Sequence, residues 1–369
     1  KNARDVDAYV TALVKEVELY SKRAAFCGRD LDFVYFGGGT PSFLSSDQLR
    51  RLVDRITEHW AWEKAREVTF ECEPGTLTKR KLETIRSIGV TRLSLGAEHT
   101  DDEVLALNGR AHKSPEVFRA YQWAREVGFD QINLDLLAGM VGDSESKWKR
   151  AVEQILALAP DSVTIYQMEV PHNTALAGAV KAAAAAGTSP VIAGWSTRRG
   201  WVDYAFGQFE AAGYEVSSAY TVVKPSDRGR FVYRDALWHG ADMIGTGVAS
   251  FSYLSGVHFQ NADSWGDYLE ALSGDALPLS RAFRTETDQR LIRELILQLK
   301  LGRLDAAYFR DKFAVQIADR FGDALASLVS EGLGRIDGDR IELTRAGLVR
   351  VDGLLPRFFE PRYRGVRYT

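Results

Sequence analysis

An α/β fold, with a parallel sheet covered by helices and a small winged-helix-like domain after it, is what this sequence predicts. Three observations carry the prediction. Strand-like apolar runs alternate strictly with amphipathic helical runs from residue 1 to about 170. Such alternation requires parallel strands joined by right-handed crossovers. The first strand-like run, Phe33 to Phe36, passes straight into Gly37-Gly38-Gly39-Thr40-Pro41. From about 284 to 331 the pattern is helical, and a tight hairpin at 335–343 follows, with Asp337-Gly338 as its turn signal.

Taken in order, residues 4–25 form an amphipathic helix through Val6, Val10, Leu13, Val14 and Val17. A strand at 32–36 and the glycine turn follow. Ser45 or Ser46 caps a helix with Leu49, Leu52, Val53 and Ile56 on its apolar face. Strands are expected at 68–72, 91–95, 132–137 and 162–166, separated by helices at 78–87, 115–127 and 144–158. Periodicity does not separate a barrel from a doubly wound sheet. After Pro171 the rhythm changes. An alanine run at 182–186 is good helix former, and a long helix from about 190 to 212 ends at Gly213. Short strands are expected at 214–222 and 230–234, then a loop, Gly245-Thr246-Gly247-Val248-Ala249-Ser250. The tail sets Arg357, Arg362, Arg364 and Arg367 among Phe358, Phe359, Tyr363 and Tyr368. It reads either as a lid over an anionic ligand or as a solvated terminus.

Composition excludes several functions. Of 369 residues 45% are hydrophobic and the net charge is −3, so a core is well supplied and no overall charge favours nucleic acid or an anionic membrane. No apolar run is long enough to span a bilayer. Cys27 and Cys72 stand far apart, in neither a C-x-x-C nor a disulfide pattern, so a reducing cytoplasmic setting is expected. No G-x-S-x-G or H-E-x-x-H motif occurs. His99 and His112 are the histidines nearest the polar residues described next, and either suits a cap or a pair.

Those polar residues gather at the carboxyl ends of successive strands, where parallel α/β sheets place ligands. Three glycines remove every Cβ that would hold a ligand away from the backbone, although the same triplet also suits a plain strand-to-helix turn. The second strand ends in Glu71 and Glu73, which share a face. Glu98 and then Arg110 follow the third, Asn133 and Asp135 stand on the fourth, and Tyr166, Gln167 and Glu169 end the fifth. Carboxylates suit ribose hydroxyls and an amino group, and an arginine suits a carboxylate.

The runs Tyr35-Phe36-Gly37-Gly38-Gly39-Thr40-Pro41-Ser42, Glu71-Cys72-Glu73-Pro74-Gly75-Thr76, Arg92-Leu93-Ser94-Leu95-Gly96, Gly109-Arg110-Ala111-His112 and Ile132-Asn133-Leu134-Asp135-Leu136 carry a family. So do Tyr166-Gln167-Met168-Glu169-Val170-Pro171 and Gly247-Val248-Ala249-Ser250-Phe251. In these motifs the chain resembles the radical S-adenosylmethionine (SAM) enzymes of the oxygen-independent coproporphyrinogen III oxidase group, which includes the decarboxylase, heme chaperones, methyltransferases and cyclopropanases. The resemblance implies an incomplete (β/α)6 barrel with a helical, winged-helix-like carboxyl domain. The expected divisions are 1–280 for the partial barrel and its α/β extension, 281–355 for the helical domain, and 356–369 for the basic aromatic tail.

By the same resemblance, Gly37, Gly38, Gly39 and Thr40 hold the methionyl amino group of SAM. Glu71 matches the family acid, and Glu98 stands where the decarboxylase has glutamine. Arg110 pairs with the methionyl carboxylate, Asp135 binds ribose, and Tyr166 and Met168 complete the cofactor set. The implied cofactors are SAM and a [4Fe–4S] cluster, with an electron donor such as flavodoxin or ferredoxin as partner. The implied chemistry is reductive cleavage of SAM to a 5′-deoxyadenosyl radical that acts on a tetrapyrrole or other bulky substrate, as in porphyrin biosynthesis. The family's C-x-x-x-C-x-x-C cluster motif is absent from these residues. Its cysteines, with a first strand, are expected upstream of Lys1. The heme chaperones' His-Asn-x-x-Tyr-Trp stretch is Tyr233-Arg234-Asp235-Ala236-Leu237-Trp238 here, without the heme-ligating histidine.

Overall fold

The structure, a computed structural model, describes residues 3–26, 28–170, 178, 182, 192–226 and 231–365. Cys27, Pro171, the alanine run beyond Ala182, Arg367 and Tyr368 lie outside them.

Helix α1 (Ala3–Ser21) precedes strand β1 (Phe33–Phe36). Helix α2 (Ser46–Thr57) starts where the sequence gives it a capping box. The Ser45 hydroxyl accepts the Gln48 N–H at 3.2 Å, and the Gln48 side chain accepts the Ser45 N–H at 3.0 Å. Strands β2 (Glu67–Cys72), β3 (Arg92–Glu98), β4 (Gln131–Ala138) and β5 (Ser162–Gln167) follow. Between them stand α3 (Lys79–Ser87), a short α4 (Asp102–Leu107), α5 (Ser114–Val127) and α6 (Glu145–Leu158). After α7 (Trp195–Ala211), β6 (Glu215–Ser218) and β7 (Thr221–Val223) form an antiparallel pair. The sheet order is β1-β2-β3-β4-β5-β7-β6. Successive strands are neighbours all the way from β1 to β5, and β1 pairs with β2, and β4 with β5, in parallel. A doubly wound sheet reverses its order at a switch point. This one runs in a single direction, so the partial-barrel alternative holds.

The chain divides into two compact units. One comprises Lys1–Ser94, Ala120–Ile132 and Phe231–Arg290, the other Leu95–Arg119, Asn133–Arg230 and Leu291–Thr369. In the first, α1 buries Val10 and Val14 against Leu52 of α2. Its Ala12 packs on Tyr268 and Leu272.

This unit also holds α8 (Val232–Trp238), a three-stranded antiparallel sheet of β8 (Phe251–Leu254), β9 (Val257–Asn261) and β10 (Leu279–Arg284), and α9 (Trp265–Ser273). Helix α8 corrects the expected strand at 230–234. Its cause is tertiary: buried Glu67 of β2 accepts the backbone N–H groups of Val232 at 2.8 Å and Tyr233 at 3.2 Å. These are first-turn donors with no partner inside a helix. Glu67→Gln, which keeps one acceptor and loses the charge, is expected to cost ~1–2 kcal/mol, read as a lower urea midpoint. An unchanged midpoint would mean that other acceptors serve those donors.

In the second unit, Trp148 of α6 is fully buried and donates its indole N–H to the Trp201 carbonyl of α7 at 2.8 Å. Beyond α10 (Thr287–Leu299) the expected helical run is interrupted by β11 (Arg303–Asp305). This strand pairs with β13 (Arg340–Leu343), itself hairpinned to β12 (Gly334–Asp337), giving the order β11-β13-β12. A three-residue strand is too short to show a period of its own. Helices α11 (Ala306–Phe313), α12 (Ile317–Arg320) and α13 (Gly322–Ser330) lie between β11 and β12, as a winged-helix arrangement requires. In the hairpin the loop residues are Gly338 and Asp339, and Gly338 supplies the positive φ of 57°. The start of the tail is packed: Phe358 and Phe359 are buried, and Arg357 pairs with Glu331 at 2.8 Å. Beyond them, residues 361–365 are exposed.

Candidate functional site

The first unit presents the glycine turn. At register Tyr35↔Thr69, the Tyr35 side chain reaches forward along β2 and donates its hydroxyl hydrogen to Glu71 Oε1 at 2.5 Å. The other oxygen, Oε2, accepts the Gly38 N–H at 3.3 Å. Gly37 is a steric requirement, because a Cβ there would meet the Glu71 carboxyl carbon at 2.7 Å. Gly38 has φ 76°, and a Cβ on Gly38 or Gly39 would project into open space, so a ligand can approach the backbone there. Fully buried Ser42 anchors the far end of the turn. Its hydroxyl oxygen accepts the Glu73 N–H at 3.1 Å and the Thr76 hydroxyl at 2.7 Å, and its carbonyl accepts from Lys81 at 2.7 Å. Burial pushes the Lys81 ammonium below the usual lysine range. Thr40 is exposed at the head of this anchored turn. Tyr35 stacks on Tyr233, with ring centroids 4.3 Å apart, so it is fixed on its face as well as at its hydroxyl.

The second unit presents the other candidates. Glu98, the last residue of β3, has φ 60°, and the His99 N–H bonds back to the Ala97 carbonyl at 2.7 Å. An i→i+2 bond across a positive-φ residue is the strained form of γ-turn, costing on the order of 1–3 kcal/mol. Its carboxylate is ion-paired with Arg110. Arg110 is positioned by the end of α4. Gly109, at φ 70°, donates its N–H to Ala106 O at 3.1 Å, and the Arg110 N–H bonds to Leu105 O at 3.0 Å. This pair of bonds is a Schellman ending with Arg110 as its last residue. The Asn108 side chain then ties the loop to Val141 through both its amide N–H and its carbonyl. Arg110, Leu107, Leu137, Met140 and Met168 line a cavity of about 200 Å³.

Asp135 accepts from Asn133 Nδ2 at 2.8 Å, two residues along the same face of β4. Buried Asn133 is in turn oriented by the Ser162 and Thr164 hydroxyls, which donate to its Oδ1 at 2.8 and 3.0 Å. Tyr166 is 48% exposed, tilted against Tyr220 at 6.0 Å. The Met168 carbonyl accepts from Arg198. His99 and His112 are both buried in structural bonds. His99 Nδ1 accepts the Asp101 N–H at 3.0 Å with Asp143 3.3 Å from Nε2, and His112 bonds the Ala97 carbonyl at 3.2 Å.

Within each unit, then, the structure brings Gly38 and Glu71 together, Glu98 and Arg110 together, and Arg110 and Met168 around one cavity. Sequence reasoning gave Tyr35 no role. Its place two residues before the glycines on a strand beside Glu71 was the available signal.

The comparisons with known proteins bear on these motifs. The model of the Radical SAM superfamily matches residues 6–155, and that of the HemN C-terminal domain matches residues 286–350. The heme chaperone HemW of Mycobacterium tuberculosis is 30% identical over 356 residues, covering 95% of this chain and 85% of that protein. This chain belongs to the radical SAM superfamily, in the family of HemW and HemN. Within this family, the oxygen-independent coproporphyrinogen III oxidase of Escherichia coli is 25% identical over 356 residues, covering 92% of the chain and 76% of that protein. The solved structure of the E. coli coproporphyrinogen III oxidase HemN, a radical SAM enzyme, has the same fold, with a TM-score of 0.82 at 22% identity over 97% of this chain and 84% of that one. The family implies SAM and a [4Fe–4S] cluster as cofactors.

The two cofactors fare differently against the residues present. In the first unit a carboxylate is fixed beside an approachable glycine backbone, and in the second an arginine lines a cavity; each, taken by itself, is a kind of group that suits part of a zwitterionic nucleoside such as SAM. For the cluster, no group of three or more His, Cys, Asp or Glu among the described residues suits a metal. Cys72 is buried, and burial pushes its thiol up, away from the thiolate that iron requires. The described residues do not fit a cluster. Among them, no helix is long and apolar enough to cross a membrane.

Proposed function

We propose that this chain is a radical SAM enzyme of the coproporphyrinogen oxidase-like kind. It binds SAM at its strand ends and acts on a tetrapyrrole or another bulky substrate by oxidative decarboxylation, radical methyl transfer or cyclopropanation. The observation that carries the reading is the Glu71 carboxylate, held at the glycine turn by the Tyr35 hydroxyl and the Gly38 N–H. An acceptor fixed in advance costs little reorganisation when a cation arrives. In this reading Gly37, Gly38, Gly39 and Thr40 offer backbone to the methionyl ammonium, and Glu71 supplies its negative partner. Arg110 takes the methionyl carboxylate. Asp135, braced by Asn133, takes the ribose hydroxyls, and Tyr166 and Met168 flank the nucleoside. An electron from the cluster would cleave the sulfonium of bound SAM; these residues would bind and orient the cofactor. A small one-electron carrier such as flavodoxin or ferredoxin is the partner this chemistry asks for.

The test is anaerobic reconstitution of the full-length protein with iron and sulfide, addition of SAM and dithionite, and mass spectrometry for 5′-deoxyadenosine. Its formation above a SAM-free control is expected. Its absence with the cluster assembled would overturn the enzyme reading.

Relatives named as heme chaperones support a second reading, a heme carrier without turnover. A stoichiometric Soret shift on heme titration, together with no 5′-deoxyadenosine, is what that reading expects. Tyr233 favours the first reading, since its ring is stacked against Tyr35.

A further inference from the structure

Among the described residues six non-glycine positions have positive φ. Ala159 and Ala314 end helices, Ser255 turns the β8–β9 hairpin, Asp275 follows the end of α9, and Ala249 lies in the loop before β8. At helix ends and hairpin turns the left-handed conformation is ordinary geometry. Glu98 differs: it closes a strand, inside a strained turn, and its carboxylate pairs with an arginine that lines a cavity. An observed outlier of this kind points to function.

We infer that Glu98 is an internal competitor for Arg110, a carboxylate gate that a ligand's own carboxylate must displace. The inference rests on the reading of Arg110 as the partner of the methionyl carboxylate. The Arg110 side chain is 39% exposed, and the Schellman ending fixes the backbone that carries it independently of Glu98. The Glu98 side chain is only 20% exposed, and its γ-turn leaves it beside the guanidinium. A carboxylate entering the cavity meets a guanidinium already neutralised. Binding therefore exchanges one ion pair for another, and the gate lowers affinity for carboxylate-bearing nucleosides while leaving those without a carboxylate untouched. Glutamine at 98 has the same shape and the same need for a left-handed backbone, but no charge with which to compete.

Calorimetric titration of the full chain decides it, with SAM and with 5′-methylthioadenosine, which has the nucleoside and thioether but no carboxylate. Glu98→Gln is expected to bind SAM ~5-fold more tightly, the equivalent of one partly exposed ion pair. Its affinity for 5′-methylthioadenosine stays within about twofold of wild type, the same pair no longer entering the balance. That second ligand also shows that the pocket is folded. Arg110→Gln weakens SAM binding, and in the double variant Glu98→Gln gives no gain. Glu98→Asp, which keeps the charge but draws it back by one methylene, falls between wild type and Glu98→Gln. Unchanged or weaker SAM binding in Glu98→Gln, with wild type binding SAM, overturns the gate and makes Glu98 a support for Arg110. If wild type and every variant bind 5′-methylthioadenosine or nothing but never SAM, the SAM reading of the cavity fails, and the gate with it.

Discussion

Replacing Glu71 with glutamine is expected to weaken SAM binding by ~10- to 100-fold, measured by titration calorimetry. A charge-assisted hydrogen bond contributes ~1.5–3 kcal/mol, and each 1.4 kcal/mol is a factor of ten. Glutamine fits the space, but its amide has one acceptor where the carboxylate has two. Tyr35 donates to Oε1 and Gly38 to Oε2, so one of these donors would face an N–H instead of an oxygen. The change therefore removes the charge that an ammonium seeks and also disturbs the turn that presents it. Tyr35→Phe separates the two effects. It leaves the charge and the stacking on Tyr233 and removes one 2.5 Å bond, so a smaller loss, ~3- to 10-fold, is expected. If Glu71→Gln binds SAM within threefold of wild type, the carboxylate at the glycine turn is not part of the cofactor site.

The parallel core was legible because each of its signals is local. The Ser45 cap with Gln48 three residues later, the apolar runs at β2 to β5 and the glycines after Phe36 all act within a few residues of where they are read. Helix α8 was not, because its first N–H groups are satisfied by Glu67, 165 residues away in sequence. Its composition, Phe231-Val232-Tyr233, favours a strand by itself. Strand β11 was hidden for the same reason, since its partner β13 lies 37 residues on at the register Leu304↔Ile341. At the candidate site, residue types at strand ends could be read directly from the period of two. The strained turn at Glu98, the Schellman ending that aims Arg110 and the clamp of Asn133 on Asp135 depend on backbone angles and cross-strand neighbours. No spacing rule reports those.

Glu16→Ala is expected to destabilise the chain by ~3–5 kcal/mol, since each buried donor left without an acceptor costs ~1–3 kcal/mol. Glu16 of α1 is completely buried. Its carboxylate accepts the Tyr268 hydroxyl at 2.6 Å, the Gly247 N–H at 2.8 Å and the Asn261 amide at 2.6 Å, joining the first helix to the 245–250 loop, β9 and α9. Alanine would strand three buried donors and leave a hole. Despite those donors, burial raises the Glu16 pKa above its usual 4.5, because desolvation outweighs the bonds. The folded state therefore holds this proton more tightly than the unfolded chain does. The proton-linked stability is fully present below pH 4.5 and is lost as pH rises through the elevated folded value. Exposed carboxylates such as Asp32 and Glu331 are shifted the other way by their arginine partners and mask this trend in the whole protein. The difference between wild type and Glu16→Gln isolates it. Glutamine keeps an acceptor and carries no charge, so it should cost less than alanine. Its deficit relative to wild type should shrink as pH rises above 4.5. Urea midpoints of the three proteins from pH 4 to 8 would show this convergence. A deficit that widens with pH would mean that the three donors, not burial, govern the ionisation of Glu16.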